Sequence, residues 1–163
     1  MALHSTRGRR ISLLITGLWL GLAACQAWAL TPEEVFRKVA PAVWTGKGDR
    51  GNTQTAIGSA VAVTSGALAT ACHVVDGAVA VTVVQGPTTL RIARIVRDPD
   101  PSRDLCVLTS ETPLQLPAVQ IVPTAELRVG QRVFAVGSPH GLERTLSEGL
   151  ISALRPRAPV QLP

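Results

Sequence analysis

The sequence predicts an all-β fold, a sandwich or barrel of short strands with one short helix in front of it. Three observations carry that expectation. From Val43 onward, short apolar runs rich in β-branched residues are interrupted at close intervals by Gly, Pro, Asn and Asp, as in antiparallel sheets that reverse often. Strands and helices do not alternate, which excludes a parallel βαβ sheet. The one strong helix-start signal lies ahead of the first strand, at Thr31.

Taken in order, Arg7, Arg9 and Arg10 precede an apolar run from Ile11 to Ala24, and Ala27-Trp28-Ala29 follows. A basic segment, an apolar segment and small residues at a cleavage point make residues 1–29 a signal peptide, with the mature chain beginning at Leu30. The apolar run is too short to cross about 30 Å of hydrocarbon comfortably, so no membrane span is expected in the mature chain. Leu22-Ala23-Ala24-Cys25 also resembles a bacterial lipoprotein signal, the alternative being a protein lipid-anchored at Cys25. A helix starting near Thr31 would then follow the anchor with almost no tether. Both routes lead to an exported product, periplasmic or secreted.

Residues 30–42 are expected to be helical. Thr31 is an N-cap, Pro32 suits the first helical position, and Glu34 completes a capping box. Val35, Phe36, Val39 and Ala40 supply an apolar face, and Pro41 closes the helix. Strands are expected near 43–45, 55–63, 67–70, 79–84, 90–98, 105–109, 132–136 and 146–154. Turns fall at Ser65-Gly66, Asp76-Gly77, Gly86-Pro87, Asp98-Pro99-Asp100-Pro101 and Gly137-Ser138-Pro139, all residue types suited to reversing a chain.

Charge says little about partners. The chain carries +5 at pH 7, but removing residues 1–29 takes away three arginines and no acid, leaving +2. With aromatics at 3% and no basic cluster between them, nucleic acid is not an expected partner.

Two segments carry chemistry. Gly58-Ser59-Ala60-Val61-Ala62-Val63, Gly66 and Leu68-Ala69-Thr70-Ala71-Cys72-His73-Val74-Val75 describe a hairpin whose strand ends on a histidine before an Asp76-Gly77 turn. Asp98-Pro99-Asp100-Pro101-Ser102-Arg103-Asp104-Leu105-Cys106-Val107-Leu108 sets an aspartate at the mouth of a strand after a rigid turn. Taken singly, a strand-capping histidine and a turn aspartate are the plainer readings. Together, and in this order, they resemble the chymotrypsin/trypsin-like serine proteases, closest to the HtrA-like bacterial branch. A third segment, from Val129 to Leu142 and on through Leu154, resembles the hairpin that opens the second barrel of that family.

The resemblance covers about 31–154 and implies a chymotrypsin-like double β-barrel. Residues 43–125 would form the first barrel, and 126–163 the start of a second, incomplete one. It implies that His73 is general base and then general acid, and that a buried Asp104 fixes its tautomer. It implies a polypeptide substrate and no cofactor. The order His before Asp is that of chymotrypsin, not of subtilisins or α/β-hydrolases. The sequence departs from the family at the nucleophile, since no Gly-x-Ser-Gly-Gly loop occurs and an oxyanion hole needs such glycines. Ser147 and Ser152 lie in a strand-like stretch, and Ser59 and Ser138 match structural positions, so no serine is assigned the role. The expectation is an exported serine-type endopeptidase, here a fragment lacking its serine and inactive as it stands. The alternative is a non-enzymatic exported pseudo-protease that binds a peptide or protein. Oligomeric state is left open.

The resemblance also bears on the cysteines. If His73 and Asp104 meet, Cys72 and Cys106 are drawn together, and an oxidising compartment favours a disulfide between them. A zinc site from Cys72, His73, Asp104 and Cys106 is not expected, because a strand points adjacent side chains to opposite faces. His140, in Pro-His-Gly, reads as a turn residue and not as a metal ligand.

Overall fold

The computed structural model describes residues 30–51, 54–112, 115–142 and 144–155. The signal-peptide and Cys25 expectations lie outside the described residues.

The chain opens with α1 (Pro32–Val39). The Thr31 hydroxyl accepts from the Glu34 amide at 3.2 Å, and the Glu34 carboxylate accepts from the Thr31 amide at 2.8 Å, so the capping box forms as the residue types dictate. A short 3-10 turn at Ala40–Ala42 follows, buries both alanines and delivers the chain to the first strand.

Six strands then form a closed antiparallel barrel. They are β1 (Val43–Asp49), β2 (Thr55–Thr64), β3 (Ala67–Thr70), β4 (Ala80–Gln85), β5 (Thr88–Arg97) and β6 (Cys106–Ser110), and their order round the barrel is β1-β2-β3-β6-β5-β4. Closure comes from β1 pairing with β4, with Thr45 opposite Val84, which leaves no free sheet edge. The ladder slips between Ala62 and Thr64 and again between Ile92 and Arg94, and such bulges bend strands round a small barrel. The interior is filled by Trp44, Ala60, Ala62, Leu68, Val83 and Leu108 with their neighbours, the all-β core that the short apolar runs predict.

β7 (Arg132–Gly137) and β8 (Thr145–Leu150) pair as a separate two-stranded sheet. It meets the barrel where the Ser138 amide donates to the Ser59 hydroxyl at 2.8 Å. A Cβ on Gly137 would stand 2.9 Å from that same oxygen, so a side chain there would prise the two sheets apart.

Three expectations about elements need correction. β1 continues to Asp49 and does not stop at Thr45; Gly46 and Gly48 hide the strand in the sequence, because glycine is a weak strand former. β8 ends at Leu150, short of Leu154. The stretch carrying His73 is not the end of a strand but a single helical turn, α2 (Cys72–Val75). The β-branched Val74 and Val75 argue for a strand, and tertiary packing overrides them.

Candidate active site

β3 runs up to Thr70, the chain leaves the sheet at Ala71, and α2 turns across the mouth of the barrel. The Val74 amide donates to Ala71 O at 3.1 Å and the Asp76 amide to Cys72 O at 2.9 Å. Val74, 2% exposed, anchors this turn and its burial stabilises it by about 1.5–3 kcal/mol. It sits on three glycines. A Cβ on Gly58 would lie 2.5 Å from Val74 Cγ2 and one on Gly48 2.2 Å from Val74 O, while one on Gly46 would make an ordinary contact with Val74 Cγ1 at 3.5 Å. Because Gly46 pairs with Gly58 across the ladder, β1 and β2 present a hollow into which the turn drops. Arg50 Nη2 adds a hydrogen bond to the His73 carbonyl at 3.2 Å, and Arg97 pairs with Asp76 at the far end of the turn.

Asp104 is delivered from the other side. The loop before β6 is closed by the Asp98 amide donating to Leu105 O at 2.9 Å. Within it the Asp98 carboxylate accepts from the Asp100 amide at 2.9 Å, and the Asp100 carboxylate from the Ser102 amide at 3.0 Å. Arg103 bridges Asp98 at 3.2 Å and Asp100 at 3.4 Å. These local bonds are the turn chemistry expected of Asp-Pro-Asp-Pro-Ser, and they hold Asp104 facing α2.

There the two residues meet. Asp104 Oδ2 bonds His73 Nδ1, and Oδ1 accepts from the His73 amide at 3.0 Å. The hydrogen bond from the His73 ring holds the Asp104 carboxyl below its ordinary pKa, helped by the His73 amide and, to a lesser degree, the Cys72 amide, against a small opposing cost of burial. A carboxylate can only accept, so in the neutral imidazole the proton resides on Nδ1 and the lone pair on Nε2. The structure thus brings together the two residues singled out in the sequence, with no partner on Nε2 among the described residues. Their surroundings differ from the implied burial. The Asp104 side chain is 52% exposed and that of His73 72%, because both stand on the rim of the barrel and not inside it.

Cys72 and Cys106 form the expected disulfide, their Cα atoms 5.0 Å apart. With its sulfur in that bond, Cys72 has no thiolate for a metal; this replaces the strand argument, which fails because Cys72 and His73 lie on a helical turn. Ser59 and Ser138 lie at the junction of the two sheets, Ser147 on β8 pairs with Ala135 on β7, and His140 falls in a 3-10 turn at Pro139–Gly141. Sequence reasoning missed the supporting residues Gly46, Gly48, Gly58, Val74, Arg50 and Arg103. Gly58, inside the predicted strand 55–63, was the available signal, since a glycine there marks a close backbone approach; Gly46 and Gly48 lie past the predicted end of the first strand.

Comparison with known proteins agrees with this geometry. Residues 58–161 match the family described as Trypsin-like peptidase domain. Protease Do-like 1 of Arabidopsis thaliana is 38% identical over 91 residues, 55% of this chain and 20% of that protein. The periplasmic serine endoprotease DegP of Salmonella typhimurium is 33% identical over 114 residues, 67% of this chain and 24% of DegP. The solved structure of the HtrA-type protease AlgW with a tripeptide superposes with a TM-score of 0.68 at 29% identity, covering 82% of this chain and 43% of that one. The chain therefore spans about a fifth to a quarter of the length of these curated relatives. A six-stranded barrel, a His–Asp pair on its rim and a match over most of the described residues place this chain in the trypsin-like peptidase family, on its HtrA/DegP side.

Proposed function

We propose that this chain contributes the acid–base half of an exported serine endopeptidase that hydrolyses polypeptides. The observation that carries the reading is the orientation of the imidazole, with Nδ1 on the Asp104 carboxylate and the ring edge bearing Nε2 on the open rim. In the proposed reaction Nε2 takes the proton of a serine hydroxyl as its oxygen attacks the peptide carbonyl, then returns it to the leaving amine. Water repeats the cycle on the acyl-enzyme. Asp104 keeps the proton on Nδ1 and stabilises the imidazolium, and no cofactor takes part. Residues 43–125 act as the first barrel and 126–163 as the opening of the second. A Gly-x-Ser-Gly-Gly loop is not found among residues 1–163, so the nucleophile would come from outside this sequence.

The alternative is an exported pseudo-protease that holds a peptide or a protein without cleaving it. A labelled fluorophosphonate applied to the product of the whole reading frame separates the two. The enzyme reading expects labelling that drops on the order of 10⁴-fold or more in His73→Ala. Labelling at background, equal in both proteins, would leave the binding module. Export is tested by mass spectrometry of the mature N-terminus, expected at Leu30, or at a lipidated Cys25 on the lipoprotein route; a product that keeps residues 1–24 would be the contrary result.

A further inference from the structure

We propose that the Cys72–Cys106 disulfide is a positioning element for the His73–Asp104 pair, tying the helical turn that carries one to the strand mouth that carries the other. Cys72 is the first residue of α2 and Cys106 the first residue of β6, so the bond falls one position before the histidine and two after the aspartate. It also falls where the sheet gives out. The β3–β6 ladder runs from Ala67 opposite Thr109 to Thr70 opposite Cys106 and ends there, so backbone pairing with β6 no longer guides the chain that turns into α2. The other anchors of α2 act in a different direction, since Val74 seats on Gly46, Gly48 and Gly58, and Arg50 holds the His73 carbonyl from the β1–β2 side. Arg97 pairs with Asp76 at the surface, at the far end of the turn; at the His73 end, the described residues show the disulfide and the contacts of Asp104 itself between α2 and the segment leading into β6.

Those contacts are too weak to set the geometry alone. The two side chains are 72% and 52% exposed, and an ion pair in water is screened and easily exchanged for hydration. The cross-link is sheltered beneath them, with Cys72 5% and Cys106 0% exposed. A buried covalent tie thus fixes the spacing of an exposed acid–base pair, and the pair spends its hydrogen bonds on orientation.

This inference rests on the reading of His73 and Asp104 as an acid–base pair, but its test does not use activity. Two variants of the chain are compared with wild type by amide hydrogen exchange and by NMR titration of the Asp104 carboxyl. In Cys72→Ala/Cys106→Ala the tie is removed. In Cys72→Ala/Thr70→Cys it is moved to the ladder partner of Cys106, which closes a loop of nearly the same length and so keeps the chain-entropy effect, while α2 is released. In the relocated variant the His73 amide is expected to exchange at least about tenfold faster, with the Leu68 and Leu108 amides unchanged. The Asp104 midpoint should rise toward the ordinary value of about 3.9. His73 exchange and an Asp104 midpoint at wild-type values in a folded variant would overturn the inference. So would unfolding of both variants, monitored at Trp44 in the barrel core, since the bond would then serve the barrel as a whole and not the pair. Failure of the protease reading would appear in the labelling experiment and leave these readouts untouched.

Discussion

Asp104 acts on α2 in two ways, through the ring of His73 and through the amide at the start of the helical turn. Because Ala71 at the N-cap has no side chain to offer, a carboxylate from another element takes the place of a cap. That arrangement has a definite sign with pH. The folded-state pKa of Asp104 lies below its ordinary value, chiefly through the His73 ring, so the carboxylate contributes stability that is present above about pH 3.9. It is lost as pH falls through the lowered folded value. Urea unfolding of wild type and Asp104→Ala should therefore differ above the ordinary carboxylate value of about 3.9 and converge as pH falls below it. A gap that persists or widens below about pH 3.9 would mean that Asp104 is not held by these donors. The identities of His73 and Asp104 were legible in the sequence because Thr-Ala-Cys-His and Asp-Leu-Cys resemble family motifs. Their exposure was not, because burial is decided by what folds over a residue and not by its own sequence neighbours.

The element that carries the site is α2, and its place is set by what β1 and β2 lack. Val74 could not reach its seat if Gly48 or Gly58 bore a methyl group, so the two glycines and the valine form one unit. The obstacles differ in kind. At Gly58 the clash is with a side-chain methyl, Val74 Cγ2, whereas at Gly48 it is with the backbone carbonyl of the same residue. Gly58→Ala should cost about 1–3 kcal/mol through overpacking, and in a Val74→Ala background most of that added cost should vanish. Gly48→Ala should stay as costly in either background, because the carbonyl remains. Denaturant titration of the two double-mutant cycles checks this, and equal coupling at both glycines would show that α2 shifts as a rigid body. Element existence was legible for α1, whose cap, proline and glutamate agree, and for strands whose β-branched apolar runs are bounded by turn residues. α2 was not, since four residues carry too little periodicity to oppose two β-branched valines, and β1 was cut short by the very glycines that make room for it.

At the scale of the molecule, the barrel closes on itself while the β7–β8 sheet is attached from outside, β7 against β1, β2 and α1 and the turn at Pro139–Gly141 against β2. Strand order and closure were not visible in the local pattern, because Thr45 and Val84 are brought together by topology and not by neighbours in sequence; the family resemblance supplied that information. At the junction the Ser138 residue is 1% exposed, and its amide has the Ser59 hydroxyl as its acceptor at 2.8 Å. Ser59 also offers its carbonyl to the Thr70 hydroxyl at 2.8 Å, one strand away, so a single residue of β2 links the outer sheet to the strand that leads into α2. Ser59→Ala keeps the carbonyl and removes the hydroxyl, leaving a buried amide without its partner at a cost of about 1–3 kcal/mol. That cost should fall on the attachment and not on the barrel, whose core residues Leu68 and Leu108 are both 0% exposed and remote from the lost bond in the ladder. Amide exchange is expected to accelerate along β7 and β8 while the Leu68 and Leu108 amides keep their wild-type rates. Uniform acceleration across both sheets would mean that the two open together, and that the outer hairpin is part of one cooperative unit with the barrel that positions His73.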